Sequence, residues 1–145
     1  MAKVLQITFD CADPLGLGEF WCEVLGYVRE SPPEAETWEE QLRLWKVPES
    51  EWNSRNAIID PEGASPRIYF QRVPEGKSAK NRLHLDIRQA PGLTGEERMA
   101  AFEQRAAELV AMGAERVQRL DDNPATGDLG IIVMRDPEGN EFCLD

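Results

Sequence analysis

The sequence predicts an α+β fold made of two copies of one module, in which a strand and a helix are followed by three further strands. Three observations support this prediction: a repeated turn motif, a matching alternating strand at the start of each half, and one amphipathic helix in each half. We expect one domain over residues 1–145, with module 1 at 1–73, a linker at 74–80 and module 2 at 81–145.

The opening strands are predicted at residues 5–10 and 82–88, where apolar and polar side chains alternate. This period of two is typical of a strand with one face on a core and the other toward water or a polar cavity. In module 2 the polar face carries His84 and Asp86. In module 1 it carries Gln6, Thr8 and Asp10. The opposite face of the first strand is expected to pack beneath the helices and carries Leu5, Ile7 and Phe9.

A helix follows each opening strand. In module 1, Asp13 is a candidate N-cap with Pro14 in the first turn, and Gly26 is the expected stop. In module 2 a capping box starts at Thr94, Gly113 ends the helix, and a strand is expected over residues 114–120. The apolar stripes have helical spacing. They carry Leu17, Phe20, Trp21, Val24 and Leu25 in module 1, and Met99, Phe102, Ala106, Leu109 and Met112 in module 2.

The repeated turn motif Asp-Pro-Glu-Gly occurs at residues 60–63 and again at 136–139. Each copy follows an apolar run and precedes a run of strand formers. Asp at the first position, Pro at the second and Gly at the fourth favour a type I turn, so each copy is expected to join two antiparallel strands. Two copies in the same context indicate an internal duplication.

Module 1 carries an additional segment over residues 31–52. A second capping box starts at Thr37, and the short helix that follows is expected to end before Pro48. Its aromatic residues either roof an aromatic-lined pocket or anchor the segment to the sheet, and the sequence favours anchoring. They are Trp38, Trp45 and Trp52.

Composition and charge exclude several classes of function. The net charge is −11, which disfavours nucleic acid and anionic membranes as partners. No segment approaches the roughly 18 apolar residues of a membrane-spanning helix, and the first residues do not resemble a secretory signal. The three cysteines form no Cys-x-x-Cys pair. We therefore expect a soluble, cytoplasmic protein with a small-molecule partner.

Three segments resemble the vicinal oxygen chelate superfamily, which includes glyoxalase I, extradiol dioxygenases, fosfomycin-resistance enzymes and bleomycin-binding proteins. The aromatic pair Phe20-Trp21 followed by Leu25-Gly26-Tyr27 is similar to the first-helix motif of that superfamily. Residues 81–86 and 136–143 are similar to its glyoxalase-like branch. The resemblance implies a cupped, barrel-like mixed sheet around a small molecule, and a homodimer.

The resemblance also implies positions for metal ligands. It places them at Gln6, His84, Cys143 and either Gln71, the preferred alignment, or Tyr69. Glu141 lies two residues before Cys143 on the same face of the last strand. The aligned positions offer one imidazole and no carboxylate, whereas hard divalent cations favour both. A thiolate at Cys143 would suit zinc. We therefore expect either no cofactor or a weakly bound divalent metal held by Gln6 and His84.

His84 is the only histidine in the chain. It is a candidate general base or metal ligand, and alternatively a group that only donates or accepts hydrogen bonds in a pocket. Glu141 is a second candidate base. The candidate ligand-binding residues are Gln6, Thr8, Gln71, Asp86 and Cys143.

Three classes of function follow from these residues. The favoured hypothesis is a small-molecule-binding protein with a polar cup around Gln6, His84 and Asp86. The alternative is a metal-dependent lyase, isomerase or dioxygenase. A third hypothesis is an interaction module whose cup is filled by its own side chains.

Overall fold

Each half of the chain folds into a four-stranded mixed sheet with a helix packed on it, which confirms the predicted α+β class. The structure is a computed structural model that describes all residues from 1 to 145. The chain divides into two units, Met1–Gly76 and Lys77–Asp145, called module 1 and module 2 below. Their boundary falls within the predicted linker at 74–80. None of the helices has both the length and the apolar character needed to cross a membrane.

Module 1 has strand order β1-β4-β3-β2, with β1 parallel to β4 and β3 antiparallel to both of its neighbours. A single turn of 3-10 helix covers Glu49–Glu51. The elements are β1 (Ile7–Cys11), α1 (Pro14–Leu25), β2 (Val28–Arg29), α2 (Trp38–Leu44), β3 (Arg55–Ile59) and β4 (Ile68–Arg72).

Module 2 repeats this topology with strand order β5-β8-β7-β6, and β5 is parallel to β8. No short helix is inserted into it, so the additional segment is confined to module 1. The elements are β5 (Leu85–Ile87), α3 (Gly95–Ala111), β6 (Glu115–Leu120), β7 (Ile131–Arg135) and β8 (Glu141–Leu144).

Helix α1 begins and ends as predicted. The Asp13 side chain accepts a hydrogen bond from the backbone N–H of Gly16, and Pro14 occupies the first turn. Gly26 ends the helix in the left-handed conformation at φ 71°, which favours glycine. The apolar stripe is buried against the sheet, except for the partly exposed Leu25. Its buried members are Leu17, Phe20, Trp21 and Val24.

Both Asp-Pro-Glu-Gly motifs form the predicted turns. The N–H of Gly63 donates to the carbonyl of Asp60 over 3.0 Å, and Gly139 donates to Asp136 over 2.9 Å. In each turn the aspartate side chain also accepts a hydrogen bond of 2.9 Å from the backbone N–H of the glutamate. The duplicated sequence motif therefore forms a duplicated hydrogen-bonding pattern.

The two opening strands are shorter than predicted. Strand β1 starts at Ile7, where pairing with β4 begins, and Leu5 before it is 61% exposed. The expectation that Leu5 packs beneath the helices is therefore wrong. In module 2 only Leu85–Ile87 forms a strand, because β8 pairs with those three residues alone, and Leu83 is 74% exposed.

Helix α3 ends just before Gly113 as predicted, where the glycine has φ 105°, but its start and its last apolar position differ from the prediction. The Thr94 side chain accepts no capping hydrogen bond, so the predicted capping box does not form. At the other end Met112 lies at the C-cap and is 42% exposed, outside the buried stripe. The central stripe is buried as predicted and includes Met99, Phe102, Ala106 and Leu109. Arg98, which the apolar stripe did not predict as a core residue, is also buried on this helix.

Candidate functional site

The strand register shows which residues of the two modules are equivalent. In each module the first residue of the opening strand pairs with a buried residue of the closing strand, Ile68 in module 1 and Phe142 in module 2. The residue immediately before the opening strand is Gln6 in module 1 and His84 in module 2. Gln6 and His84 therefore hold equivalent places in their own modules.

The second residue of each opening strand pairs with Tyr69 in module 1 and with Cys143 in module 2. Tyr69 is therefore the equivalent of Cys143, because module 1 has a longer turn before its closing strand, over residues 64–67. Gln71 lies two residues further along the same face of β4. Its side-chain amide donates to Asp10 Oδ1 over 2.6 Å.

In module 2, three side chains with metal-binding atoms lie together. Nε2 of His84 is 3.2 Å from Oδ1 of Asp86. Together with Sγ of Cys143, the donor atoms of this cluster all lie within 4.8 Å of one another. The side chains of His84 and Asp86 are about half exposed, at 52% and 48%, whereas Cys143 is buried. The cluster is therefore open to an incoming ligand on its histidine side.

The Cys143 thiol is held in its protonated form. Burial, followed by the charge of Asp86 and a hydrogen bond to it, raises the pKa of Cys143 from 9.0 to about 11. A thiol with this pKa is neutral at physiological pH and is a poor nucleophile, because the thiolate is the reactive form. A bound cation would favour the thiolate and would have to displace the thiol proton.

The His84–Asp86–Cys143 cluster matches the donor set of a borderline metal such as zinc, which accepts imidazole, carboxylate and thiolate ligands. No carboxylate was predicted among the ligands, because the resemblance assigns one ligand to each aligned strand position. Asp86 lies outside that alignment, two residues after His84 on the same strand face. The alternation of β5 was the signal that could have identified it as a donor.

Glu141 lies outside this cluster. Its carboxylate forms an ion pair with the ammonium group of Lys80, and Arg135 lies 4.0 Å away. The hydrogen bond from Lys80, together with the nearby positive charges, lowers the pKa of Glu141. A base role for Glu141 stays a prediction, and this ion pair reduces its basicity.

In module 1 the side chain of Gln6 is already hydrogen-bonded. Its oxygen accepts from Nη1 of Arg67 over 2.6 Å, and its nitrogen lies 3.4 Å from the Thr8 hydroxyl oxygen. Arg67 is itself held by Glu30 through two hydrogen bonds of 3.0 and 2.6 Å. Gln6 therefore belongs to a preorganised polar network within module 1.

A cavity of about 460 Å³ lies between the additional segment of module 1 and its sheet. Helix α2 and the chain after it supply most of the aromatic wall, and strands β2, β3 and β4 supply the rest. The residues that line it include Trp38, Trp45, Trp52, Arg29, Arg55 and Tyr69.

The three tryptophans line this cavity, and Trp38 also ties the additional segment to the residue that follows β2. The indole N–H of Trp38 donates to the carbonyl of Glu30 over 2.7 Å, and that of Trp52 donates to the carbonyl of Val47 over 2.9 Å. The ring of Trp45 packs edge-on against Trp38, with ring centroids 6.3 Å apart. Both sequence-based interpretations of these residues therefore describe part of the structure.

The vicinal oxygen chelate superfamily is defined by two copies of this module. Each copy carries polar side chains at matching places on its opening and closing strands. The chain belongs to the superfamily's glyoxalase-like domain family, whose model matches residues 6–144. No curated protein sequence matches the chain significantly.

Solved structures share this fold at low sequence identity. A glyoxalase/bleomycin resistance protein/dioxygenase family enzyme from Burkholderia phytofirmans is 16% identical with a TM-score of 0.60, covering 99% of this chain and 97% of that one. A variant of the fosfomycin resistance protein FosX from Listeria monocytogenes, complexed with Mn(II) and 1S,2S-dihydroxypropylphosphonic acid, is 12% identical with a TM-score of 0.59, covering 99% and 89%. TioX from Micromonospora is 16% identical with a TM-score of 0.51, covering 99% and 97%.

Proposed function

We propose that this glyoxalase-like protein binds a small organic molecule in the cavity of module 1. The observation that carries the proposal is the cavity of about 460 Å³ lined by three tryptophans. Its volume is within the range of roughly 300–1,000 Å³ that is typical of ligand pockets, and a mainly apolar wall with a few polar groups is the usual composition.

The polar network of module 1 adjoins this cavity at Tyr69, which lines it. The guanidinium of Arg67 lies over the Tyr69 ring, 5.6 Å from its centroid, and the same guanidinium holds Gln6. Thr8 pairs with Tyr69 in the sheet. We therefore assign Gln6 and Thr8 to ligand binding, with Gln71 further along the same strand face.

In module 2 we assign His84 and Asp86 to hydrogen bonding with an organic ligand. Cys143 is the buried side chain next to them. The histidine and the aspartate are half exposed and adjacent, which leaves both available to a ligand. The Cys143 thiol is buried and protonated, so it is a hydrogen-bond donor toward Asp86 rather than a nucleophile.

A screen of small organic molecules by thermal shift tests the module 1 proposal. Ser54→Phe places a ring in the cavity, whose wall includes Ser54, and we expect it to abolish the shifts seen with the wild type. Ser78→Phe is the matched control, because Ser78 is exposed in the linker and does not line the cavity. Hits that shift the Ser54→Phe and wild-type proteins equally would contradict the proposed site.

A second candidate function is that of a metal-dependent enzyme, and the His84–Asp86–Cys143 cluster is the observation that favours it. These three residues would hold the ion, and a bound divalent metal would supply Lewis-acid polarisation of a substrate oxygen. The FosX variant that is complexed with Mn(II) shares this fold. Here, however, the thiol must lose its proton before it can bind, so we expect weak binding or none.

Metal content separates the two functions. Protein prepared without chelator or a histidine tag is analysed by native mass spectrometry, alone and after incubation with zinc, nickel or manganese. We expect well under one ion per chain. A near-equimolar ion that is lost in both His84→Ala and Asp86→Asn, but retained in the control Asp10→Asn from module 1, would establish the metalloenzyme instead.

We also propose that the protein is a homodimer, as the resemblance to the superfamily implies. Light scattering at micromolar concentration tests this, with a dimer mass as the expected result. A monomer mass for protein with an unchanged circular dichroism spectrum would exclude the homodimer without affecting the assignment of the fold.

A further inference from the structure

The cavity of module 1 is cationic, although the chain as a whole carries a net charge of −11. Its charged wall residues are Arg29, Lys46, Arg55 and Glu51. The single carboxylate among them, Glu51, forms an ion pair of 3.0 Å with Arg72, which does not line the cavity. The wall therefore presents three cations and one carboxylate that is already neutralised from outside.

Two of these cations have no partner within the protein. The side chains of Arg55 and Lys46 form no hydrogen bond or ion pair. The third, Arg29, stacks over the Trp38 ring at 5.2 Å and donates through Nε to Oδ1 of Asn56 over 3.0 Å. Cations without a partner at the cavity wall favour an anionic ligand, because their positive field attracts negative charge to the wall.

The aromatic part of the wall offers mainly ring surface. The indole N–H groups of Trp38 and Trp52 are both used by backbone carbonyls. The Trp45 side chain remains 49% exposed beside Trp38 and makes no hydrogen bond. Such a wall recognises a ligand through stacking against a flat ring.

We propose that the module 1 cavity binds a planar aromatic carboxylate, with its ring against Trp45 and Trp38 and its carboxylate paired with Arg55. This inference rests on the small-molecule-binding function proposed above and adds the chemical class of the ligand. The guanidinium of arginine presents parallel N–H donors that match the two oxygens of a carboxylate. The ring supplies most of the buried area, and the ion pair supplies the selectivity.

Isothermal titration calorimetry with three probes tests each part of this proposal. Naphthoate has both the ring and the charge, naphthamide has the ring alone, and cyclohexanecarboxylate has the charge without aromatic stacking. We expect naphthoate to bind on the order of tenfold more tightly than either of the others, as one charge-assisted contact or one aromatic contact would give.

Substitutions test which residues cause these differences in affinity between the probes. We expect Arg55→Gln to remove the preference for naphthoate over naphthamide, and Arg55→Lys to keep part of it. Trp45→Leu should weaken both aromatic probes and leave cyclohexanecarboxylate unchanged. The control Arg116→Gln removes the same charge from β6 of module 2 and should change nothing. Circular dichroism spectra matching the wild type confirm that the variants are folded.

The other outcomes distinguish this inference from the function on which it rests. Equal affinity for naphthoate and naphthamide, unaltered by Arg55→Gln, would overturn the anionic class and leave an aromatic-binding cavity. No binding of any probe, in a protein whose library hits still depend on Ser54, would overturn the ligand class and leave small-molecule binding intact. Absence of both would remove the proposed function as well.

Discussion

Tyr69 and Cys143 occupy the same position on the closing strands of the two modules, although one is a stacked phenol and the other a buried thiol. The Tyr69 ring lies under the guanidinium of Arg67 and lines the cavity. The thiol of Cys143 lies beside Asp86 and His84. The two modules therefore share one fold, but their polar faces differ. The face of module 1 carries a tyrosine ring stacked under an arginine, and the face of module 2 carries a histidine, an aspartate and a thiol.

We expect Cys143 to react slowly with iodoacetamide in the folded protein. Only the thiolate is alkylated, and a pKa of about 11 leaves very little thiolate at pH 8. Mass spectrometry of peptides after timed alkylation gives the rate for each cysteine. The rate at Cys143 should rise steeply between pH 8 and pH 11.

Asp86→Asn is the informative variant for this prediction. It removes the nearest negative charge, so the pKa of Cys143 should fall and alkylation at pH 8 should accelerate. Glu23→Gln, on helix α1 of module 1, is the control and should leave the rate at Cys143 unchanged. A half-maximal rate near pH 9 in the wild type would show that the pKa of the thiol is unperturbed.

The additional segment of module 1 depends on a fully buried glutamine. The side-chain oxygen of Gln41 accepts hydrogen bonds from the backbone N–H groups of Glu34 and Ala35, at 2.9 and 3.0 Å. In Gln41→Leu both part-buried N–H groups lose this partner, and each hydrogen bond contributes about 0.5–1.5 kcal/mol. We expect the free energy of unfolding in urea to fall by about 2 kcal/mol or more, with loss of ligand binding in the cavity.

Gln104→Leu is the control for this substitution, because Gln104 is exposed on α3 and makes one long hydrogen bond of 3.5 Å to Glu108. Its effect should stay within about 0.5 kcal/mol. If Gln41→Leu were no more destabilising than Gln104→Leu, the buried amide of Gln41 would not stabilise the additional segment.

Local signals explain why so much of the fold could be predicted from the sequence. Asp13, Pro14 and Gly26 each act through their own backbone neighbourhood, so helix α1 was placed correctly at both ends. The duplicated turn motif determined the predicted topology, because two identical motifs in the same context limit which strands can pair with one another. Strand ends were less predictable, since β5 stops where its partner β8 stops, and that limit lies far away in the sequence.

The candidate site was predicted less completely, because side-chain partners are tertiary properties. The alternation of the first strand placed Gln6 and Thr8 on one face, but nothing in the sequence indicated that Arg67 would hold the Gln6 amide. The cavity depended on where the additional segment lies over the sheet. Asp86 was identified as a ligand-binding residue, and its distance to Cys143 required the register of β5 and β8.

The ion pair between Glu30 and Arg67 predicts a dependence of stability on pH. The hydrogen bonds from Arg67 lower the pKa of Glu30 below 4.5 in the folded protein. A lowered folded-state pKa stabilises the protein above the unfolded-state pKa, and this stabilisation is lost as the pH falls through the folded-state pKa. Because both side chains are about one-third exposed, we expect Glu30→Gln to cost less than about 1 kcal/mol at neutral pH.

Urea unfolding at a series of pH values measures this effect. The difference between the wild type and Glu30→Gln should shrink as the pH falls below 4.5, because protonated Glu30 no longer pairs with Arg67. Glu36→Gln is the control, since Glu36 is exposed and forms no ion pair. A difference that stays constant down to acidic pH would show that the pair does not contribute through its charge.

Arg98 is a charged side chain that is buried in module 2. Its guanidinium donates to the carbonyl of Gly130 over 3.0 Å and to Oδ1 of Asp145 over 2.8 Å. It also lies over the Phe102 ring, 4.6 Å from the centroid. These contacts join helix α3 to the segment before β7 and to the residue after β8. Arg98 therefore links three parts of module 2.

We expect Arg98→Met to lower the free energy of unfolding by about 2–3 kcal/mol. Methionine keeps the aliphatic packing, but it leaves the buried Gly130 carbonyl without its donor and the Asp145 carboxylate paired with Arg88 alone. Leaving a buried acceptor unsatisfied is costly. Arg116→Met is the matched control: its pair with Glu103 is more than one-third exposed and should contribute less than about 1 kcal/mol. Equal effects of the two substitutions in urea unfolding would mean that water replaces the contacts of Arg98, and that α3 is held by its apolar stripe alone.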